Sequence, residues 1–140
     1  MNEYLSYRKP APKVRKLIIQ KEISSLSNIY LLLSIAYNKI GNIQKAFEAI
    51  NHSIKNDSHF EDAFCYRAKL YVKVGEYAKG ENDYKSAIKL NSKSWMGYSG
   101  LADCYRTKFH YQLAIKYYDK VISIFQEETI KENSEISFIN

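Results

Sequence analysis

The sequence predicts an all-α protein built as a solenoid of three helix–turn–helix units with flanking end helices, and three observations lead to this prediction. The 140 residues include only 5 Gly and 2 Pro, so few positions break a helix. Apolar and aromatic residues recur at the i, i+3, i+4, i+7 spacing of an amphipathic helix. The same pattern repeats at a fixed interval of 34 residues, with frequent use of Tyr, which occurs 13 times.

Seven columns of similar residues align when the chain is shifted by one and by two repeat intervals, without any gap. Two columns hold small residues, which let paired helices approach closely, and five hold aromatic or aliphatic residues that fill wider gaps. Tyr suits a thin two-layer solenoid because its ring can be buried while its hydroxyl still reaches water. The columns are Tyr30/Phe64/Tyr98, Ser34/Ala68/Ala102, Tyr37/Tyr71/Tyr105, Ile43/Tyr77/Tyr111, Ala46/Gly80/Ala114, Ile50/Tyr84/Tyr118 and Ile54/Ile88/Ile122.

Glycine marks the turn between the two helices of a unit in the first two units. Gly41 and Gly75 stand where the first helix must stop, and Gly adopts the left-handed conformation of a helix C-cap without strain. The third unit has Phe109 at this position. We therefore expect its turn to be built differently, with Lys108 or His110 in the strained conformation.

These columns resemble the signature of the tetratricopeptide repeat family, whose units are helical hairpins of 34 residues. Two departures stand in the middle unit, where Arg67 replaces a Leu and Gly80 replaces an Ala. The resemblance covers residues 27–60, 61–94 and 95–128, and it implies a right-handed α-solenoid. In the family's positions the middle unit reads Phe64, Arg67, Ala68, Tyr71, Gly75, Tyr77, Gly80, Tyr84 and Ala87.

Residues 1–26 form a basic arm before the repeats. Pro10 and Pro12 predict an extended chain up to residue 12, and Leu17 with Ile18 then predicts a helix whose apolar face caps the exposed end of the first unit. An alternative function for the arm is to bind RNA or another acidic partner, because clustered cations attract phosphates and carboxylates. The cations of this alternative site are Arg8, Lys9, Lys13, Arg15 and Lys16.

Residues 129–140 and the end of the third unit are acidic, and the residues after 128 do not continue the repeat. We expect this tail either to extend the last helix, to cap the array or to be disordered beyond about residue 130. The opposite charges at the two ends are compatible with head-to-tail contact between copies, so a homo-oligomer remains open.

Composition and short motifs exclude several classes of protein. The two Cys residues cannot form a disulfide-dense secreted scaffold, and no apolar stretch approaches the roughly 20 residues of a membrane span. The apolar patch of the basic arm is too short for a signal peptide, so we expect an intracellular, cytoplasmic protein. His52, His59 and His110 are scattered, and no catalytic, metal-binding or phosphate-binding motif is present. We therefore expect neither an enzyme nor a cofactor.

The resemblance implies a concave groove lined by the first helix of each unit. The apolar groove positions favour a protein partner, a peptide or helix with apolar groups, and the surrounding cations favour acidic groups on that partner. An alternative is that the chain's own termini or a second copy cover the groove. The predicted groove residues are Leu31, Ile35, Asn38, Tyr66, Lys69, Lys73, Met96, Asp103 and Arg106.

One well-known use of such a groove is the clamp that grips the C-terminal carboxylate of large heat-shock chaperones. The family's clamp uses Lys, Asn and Arg side chains as donors. The corresponding positions here are Leu31, Ile35, Tyr66, Met96 and Gly100, and none of them matches. We therefore predict an interaction module or scaffold subunit that does not use this clamp.

Overall fold

The computed structural model describes residues 9–139, and it has six helices and no strand within that range. α1 packs with α2, α3 with α4 and α5 with α6, while α2 against α3 and α4 against α5 stack one hairpin on the next. The predicted all-α solenoid of three helix–turn–helix units is confirmed. The helices are α1 (Pro12–Lys39), α2 (Ile43–Asn56), α3 (Glu61–Lys73), α4 (Tyr77–Leu90), α5 (Trp95–Thr107) and α6 (Tyr111–Ile139). Among these described helices, none is long and apolar enough to cross a bilayer.

Two clusters of buried residues join the hairpins. One cluster connects α1, α2 and α3 around Leu31, Ile50 and Leu70. The other connects α3, α4 and α5 around Tyr84 and Leu101. Full burial of one such side chain contributes roughly 1.5–3 kcal/mol, so these clusters are the main source of stability for the stack.

The columns of small residues lie where the paired helices are closest. Ser34 and Ala46 are fully buried, and the Ser34 hydroxyl donates a hydrogen bond to the Ala46 carbonyl at 2.7 Å, which links α1 to α2. In the middle hairpin, a Cβ atom at Gly80 would lie only 2.9 Å from Val72 Cγ2 and 3.1 Å from the Ala68 carbonyl oxygen. The replacement of Ala by Gly80 is therefore explained by a closer approach of α3 and α4.

The turn of the third hairpin corrects one expectation from the sequence. Gly41 and Gly75 both have a φ of 84°, and Phe109 takes the same left-handed conformation with a φ of 64°. Lys108 keeps a negative φ of −85°, so the strained residue is Phe109 itself. The chain tolerates it because the turn forms the usual capping hydrogen bonds, among them His110 N–H to the Tyr105 carbonyl at 2.9 Å.

Arg67, the second departure from the family pattern, forms a bidentate ion pair with Asp83. Its Nε and Nη2 atoms donate to the two carboxylate oxygens of Asp83 at 2.7 and 2.8 Å, which ties α3 to α4. Its Nη1 atom donates to Asn51 Oδ1 at 3.0 Å and so also reaches α2. Asp83 is buried, and the fork of three donors explains how an arginine fits at this position.

α1 continues without a break across the boundary expected between residues 26 and 27. It begins at Pro12 rather than Lys13, because proline fits the first position of a helix. Residues 12–26, which we call the amino-terminal extension, run beyond the end of α2. The expected capping contact is not formed: Leu17 is 70% exposed and Ile18 is 45% exposed, because the straight helix carries them away from the first hairpin.

α6 likewise continues beyond the third unit, as far as Ile139. Of the alternatives for the tail, helix extension is therefore the one observed. We call residues 126–139 the carboxy-terminal extension. Its large apolar side chains, such as Ile130 and Ile136, are exposed in the monomer.

Candidate functional site

Two adjoining pockets form a groove across the first helices of the three hairpins. The first pocket has a volume of about 180 Å³ and the second about 190 Å³, and Lys69 and Met96 line both. The first is lined by Leu31, Ile35, Asp62, Cys65, Tyr66, Lys69 and Met96. The second is lined by Lys69, Tyr84, Trp95, Met96, Ser99, Gly100 and Asp103.

The floor of the first pocket is apolar, and a cation lies at its centre. Leu31 is buried, Ile35 and Met96 are half-buried, and they come from α1 and α5. Lys69 is exposed on α3 between them, and its ammonium group has no hydrogen-bonding or ion-pair partner among residues 9–139. At the edge, burial and the Glu61 carboxylate raise the pKa of Asp62. Lys69 thus places an accessible positive charge beside an apolar surface.

Asn38, Tyr66 and Lys73 form a hydrogen-bond network at one end of the groove. The Asn38 Nδ2 atom donates to the Tyr66 hydroxyl at 3.0 Å, and Lys73 Nζ donates to Asn38 Oδ1 at 2.7 Å. The network bridges α1 and α3 and fixes the Tyr66 ring. The partner of Lys73 is a neutral amide, so its positive charge is not neutralised there.

The other end of the groove departs from the prediction for Arg106. Arg106 Nη2 contacts Asp103 Oδ1 at 3.4 Å, and Arg106 Nε donates to the Tyr118 hydroxyl at 3.2 Å. Tyr118 also donates a short hydrogen bond to Asp103. Burial and this bond to Asp103 raise the pKa of Tyr118. Arg106 is therefore engaged within the chain, whereas sequence reasoning had assigned its charge to a partner.

Tyr84 and Trp95 are pocket residues that the sequence prediction missed. Tyr84 belongs to α4, a second helix, and its ring reaches the groove by passing over Gly100 on α5. A Cβ atom at Gly100 would lie 2.1 Å from Tyr84 Cε1, so only glycine leaves room for the ring. A glycine in the middle of a helix, where it costs stability, was the signal that could have revealed this packing.

Neither cysteine is placed as a reactive nucleophile. Burial raises the pKa of the Cys65 thiol to about 12 and that of the Cys104 thiol to about 11. Both thiols are therefore protonated at neutral pH, and the thiolate is the nucleophilic form. Within residues 9–139, no group of three or more His, Cys, Asp and Glu side chains is arranged to hold a metal ion.

The predicted basic arm lies apart from the groove. Lys13, Arg15 and Lys16 are exposed on the first turns of α1, Lys9 is exposed just before it, and Arg8 lies outside the described residues. Lys16 and Leu31 on α1 are separated by about 22 Å along the axis, at 1.5 Å per residue. The arm and the groove are two separate surfaces.

Comparison with known proteins supports the repeat assignment. The model of the tetratricopeptide repeat matches residues 27–60 and 97–128. The chain is 30% identical over 140 residues to the TPR repeat-containing protein MJ1428 of Methanocaldococcus jannaschii, covering 99% of this chain and 23% of that protein. It is 24% identical to the TPR repeat-containing protein YpiA of Bacillus subtilis, covering 81% of this chain and 26% of that protein. The chain thus spans about a quarter of the length of these curated relatives.

Solved structures share the fold. The crystal structure of MamA superposes with a TM-score of 0.69 at 22% identity, covering 76% of this chain and 62% of that one. The first TPR of Spaghetti (RPAP3), solved bound to the HSP90 peptide SRMEEVD, superposes with a TM-score of 0.68 at 21% identity. That match covers 83% of this chain and 94% of the other. At these identities the likeness establishes the solenoid architecture alone.

Proposed function

Since this chain belongs to the tetratricopeptide repeat family, we propose that it is a protein-interaction module that docks a peptide or helix in the groove. The observation that carries the proposal is the pair of adjoining pockets, which share the exposed cation of Lys69 and the apolar side chain of Met96. The structure of the first TPR of Spaghetti (RPAP3) with a peptide supports this kind of ligand.

The size and chemistry of the pockets favour side chains of a protein partner. Pockets for whole small molecules have volumes of roughly 300–1,000 Å³, and each of the two groove pockets taken alone is smaller. The apolar floor around Leu31 and Met96 suits an apolar side chain of the partner. Lys69 and Lys73 suit a neighbouring carboxylate, which would gain a charge-assisted hydrogen bond. The preferred ligand is therefore a segment with alternating apolar and acidic groups.

The proposal does not involve the carboxylate clamp of chaperone-binding relatives. Leu31, Tyr66 and Met96 stand at clamp positions, and their side chains carry no cation that could form an ion pair with a terminal carboxylate. We assign the chain a scaffold or adaptor role in complex assembly, without a catalytic step or a cofactor. A cytoplasmic site of action belongs to the same proposal and is supported by two buried, free cysteines.

Selection from a phage-displayed random peptide library tests the proposed groove. We expect the selected peptides to be enriched in Asp or Glu next to apolar residues. Lys69→Glu should weaken binding of a selected peptide at least about tenfold, measured by fluorescence anisotropy, because it places like charges together. Met96→Gln, which keeps the side-chain length but makes it polar, should weaken binding as well.

Lys85→Glu is the matched control, because Lys85 is exposed on α4 and lines neither pocket. It makes the same charge change outside the groove, so it should leave binding unchanged. The proposal is contradicted if no peptide is selected, or if Lys69→Glu and Lys85→Glu have equal effects.

A further inference from the structure

The two ends of the solenoid carry apolar faces that no described residue covers. On α1, Ile18, Ile29 and Leu32 are each 45–58% exposed. On α6, Ile115, Ile122 and Ile136 are spaced by seven or fourteen residues, and each is 54–58% exposed. Residues seven apart lie on one helix face, so each terminal helix presents an apolar stripe. Repeat arrays normally end in a polar face.

The two extensions project from the same edge of the array. Trp95 begins α5, and its ring centroid lies 5.5 Å from that of Phe125, so α6 leaves the third hairpin at Phe125. Ser27, two repeat intervals before Trp95, marks the corresponding level of α1, and its carbonyl accepts a hydrogen bond from Ser53 near the end of α2. Beyond these levels the amino-terminal extension has 15 residues and the carboxy-terminal extension has 14.

The net charges of the two extensions are opposite in sign and equal in magnitude. The amino-terminal extension has four cations and one carboxylate, which gives a net charge of +3. The carboxy-terminal extension has four carboxylates and one cation, which gives −3. Lys13, Arg15, Lys16 and Lys21 supply the positive charge, and Glu127, Glu128, Glu132 and Glu135 supply the negative charge.

We propose that copies of this chain associate end to end, with the outer face of α1 in one copy packed against the outer face of α6 in the next. Within the molecule, α4 packs antiparallel against α5, the first helix of the following hairpin, because Gly97 lies against Ile88 and Gly100 lies against Tyr84. The same arrangement between copies sets α6 antiparallel to α1. Ile29 then lies near Ile122, and Lys16 lies near Glu135.

This contact is heterologous, because it joins two different faces. Such a contact produces a series of growing species rather than a closed dimer, unless the rotation between copies closes a ring. The proposal is independent of the groove: a peptide can bind the groove whether or not copies associate, and each test can fail alone.

Sedimentation velocity tests the association. The wild-type chain should sediment as progressively larger species from about 1 to about 300 µM, a range suited to a modest interface. Ile29→Glu blocks the α1 face and Ile122→Glu blocks the α6 face, so each variant alone should remain monomeric, and two blocked faces repel each other. An equimolar mixture retains one intact face on each variant and should form a dimer that grows no further.

A charge exchange tests the alignment of the two helices. Lys16→Glu and Glu135→Lys should each weaken self-association about tenfold, through like-charge contacts. A mixture of the two single variants should restore association, because both contacts between one variant and the other again join opposite charges, whereas contacts between identical variants join like charges. Lys85→Glu serves as the control, and circular dichroism checks that every variant keeps its helix content.

The proposal is overturned if the wild-type chain is monomeric up to the highest concentration, or if the mixture of Ile29→Glu and Ile122→Glu stays monomeric. It is also overturned if a closed dimer forms that neither substitution affects. Titration with a single-stranded RNA at about 50 and about 200 mM salt tests the alternative that the basic face binds nucleic acid. Salt-sensitive RNA binding by a monomeric chain would assign Lys13, Arg15 and Lys16 to nucleic acid instead.

Discussion

The repeat array and the two helical extensions are both α-helical, yet different interactions stabilise them. In the array, each helix buries a stripe of side chains against its neighbours, and Ala46, Ala68 and Ala102 are fully buried. In the extensions, the backbone hydrogen bonds are formed while Leu17 and Ile130 stay largely exposed. Helix formation and helix packing are therefore separate properties, and only the array has both.

The largest expected difference between the array and the extensions is in the rate of amide hydrogen exchange in dilute solution. Amides of residues 46–54 in α2 can exchange only when the array opens, whereas amides of residues 14–22 need only local fraying of α1. We expect exchange at least about 100-fold faster in the extension, measured by mass spectrometry of peptic peptides. Equal protection of both segments at low concentration would contradict the comparison. Protection of the extension that rises with concentration would agree with end-to-end association.

A matched pair of truncations should show a smaller difference. Ile50 is 0% exposed and Leu17 is 70% exposed, and both lie on helices. Ile50→Ala should lower the free energy of unfolding by about 2–5 kcal/mol, because it removes buried methyl groups and leaves a cavity. Leu17→Ala should change it by no more than about 0.5 kcal/mol. Urea denaturation at low protein concentration measures both, and similar losses would show that Leu17 is packed in the monomer.

The smallest expected effect concerns the turns inside the array. Phe109→Gly should raise the free energy of unfolding by about 1 kcal/mol, because glycine adopts a positive φ without strain. Gly75→Ala, at the equivalent turn, should lower it by about the same amount, although a Cβ atom at Gly75 meets nothing within 4 Å. Thermal unfolding of both variants measures the pair. A loss of stability in Phe109→Gly would indicate that the edge contact of Phe109 with Tyr111 outweighs the backbone strain.

The architecture could be predicted from the sequence because each unit repeats the same pattern of small and aromatic residues. The columns of small residues and the positions of Gly41 and Gly75 depend on local spacing, which one sequence displays directly. Phe109 was mispredicted because composition indicated a different turn, whereas the backbone hydrogen bonds of the repeat impose the same conformation on any residue there.

The groove was predictable only in part. The first-helix positions followed from the repeat, and the structure brings Leu31, Lys69 and Met96 together in the first pocket. The engagement of Arg106 with Asp103 depends on Tyr118 from another helix, and pairing across helices leaves no periodic signal. The exposure of the extensions was also missed, because an apolar helix face predicts burial without specifying what buries it.

The packing of Tyr84 over Gly100 has a consequence for engineering. The two residues are a natural bump and hole: the phenol ring fills the space that a missing side chain leaves, and it closes the second pocket from below. A smaller residue at position 84 would extend this pocket towards the core by the volume of an aromatic ring. The depth of the second pocket is thus set by one pair of residues, so ligand size and ligand charge can be varied at different positions of the same scaffold.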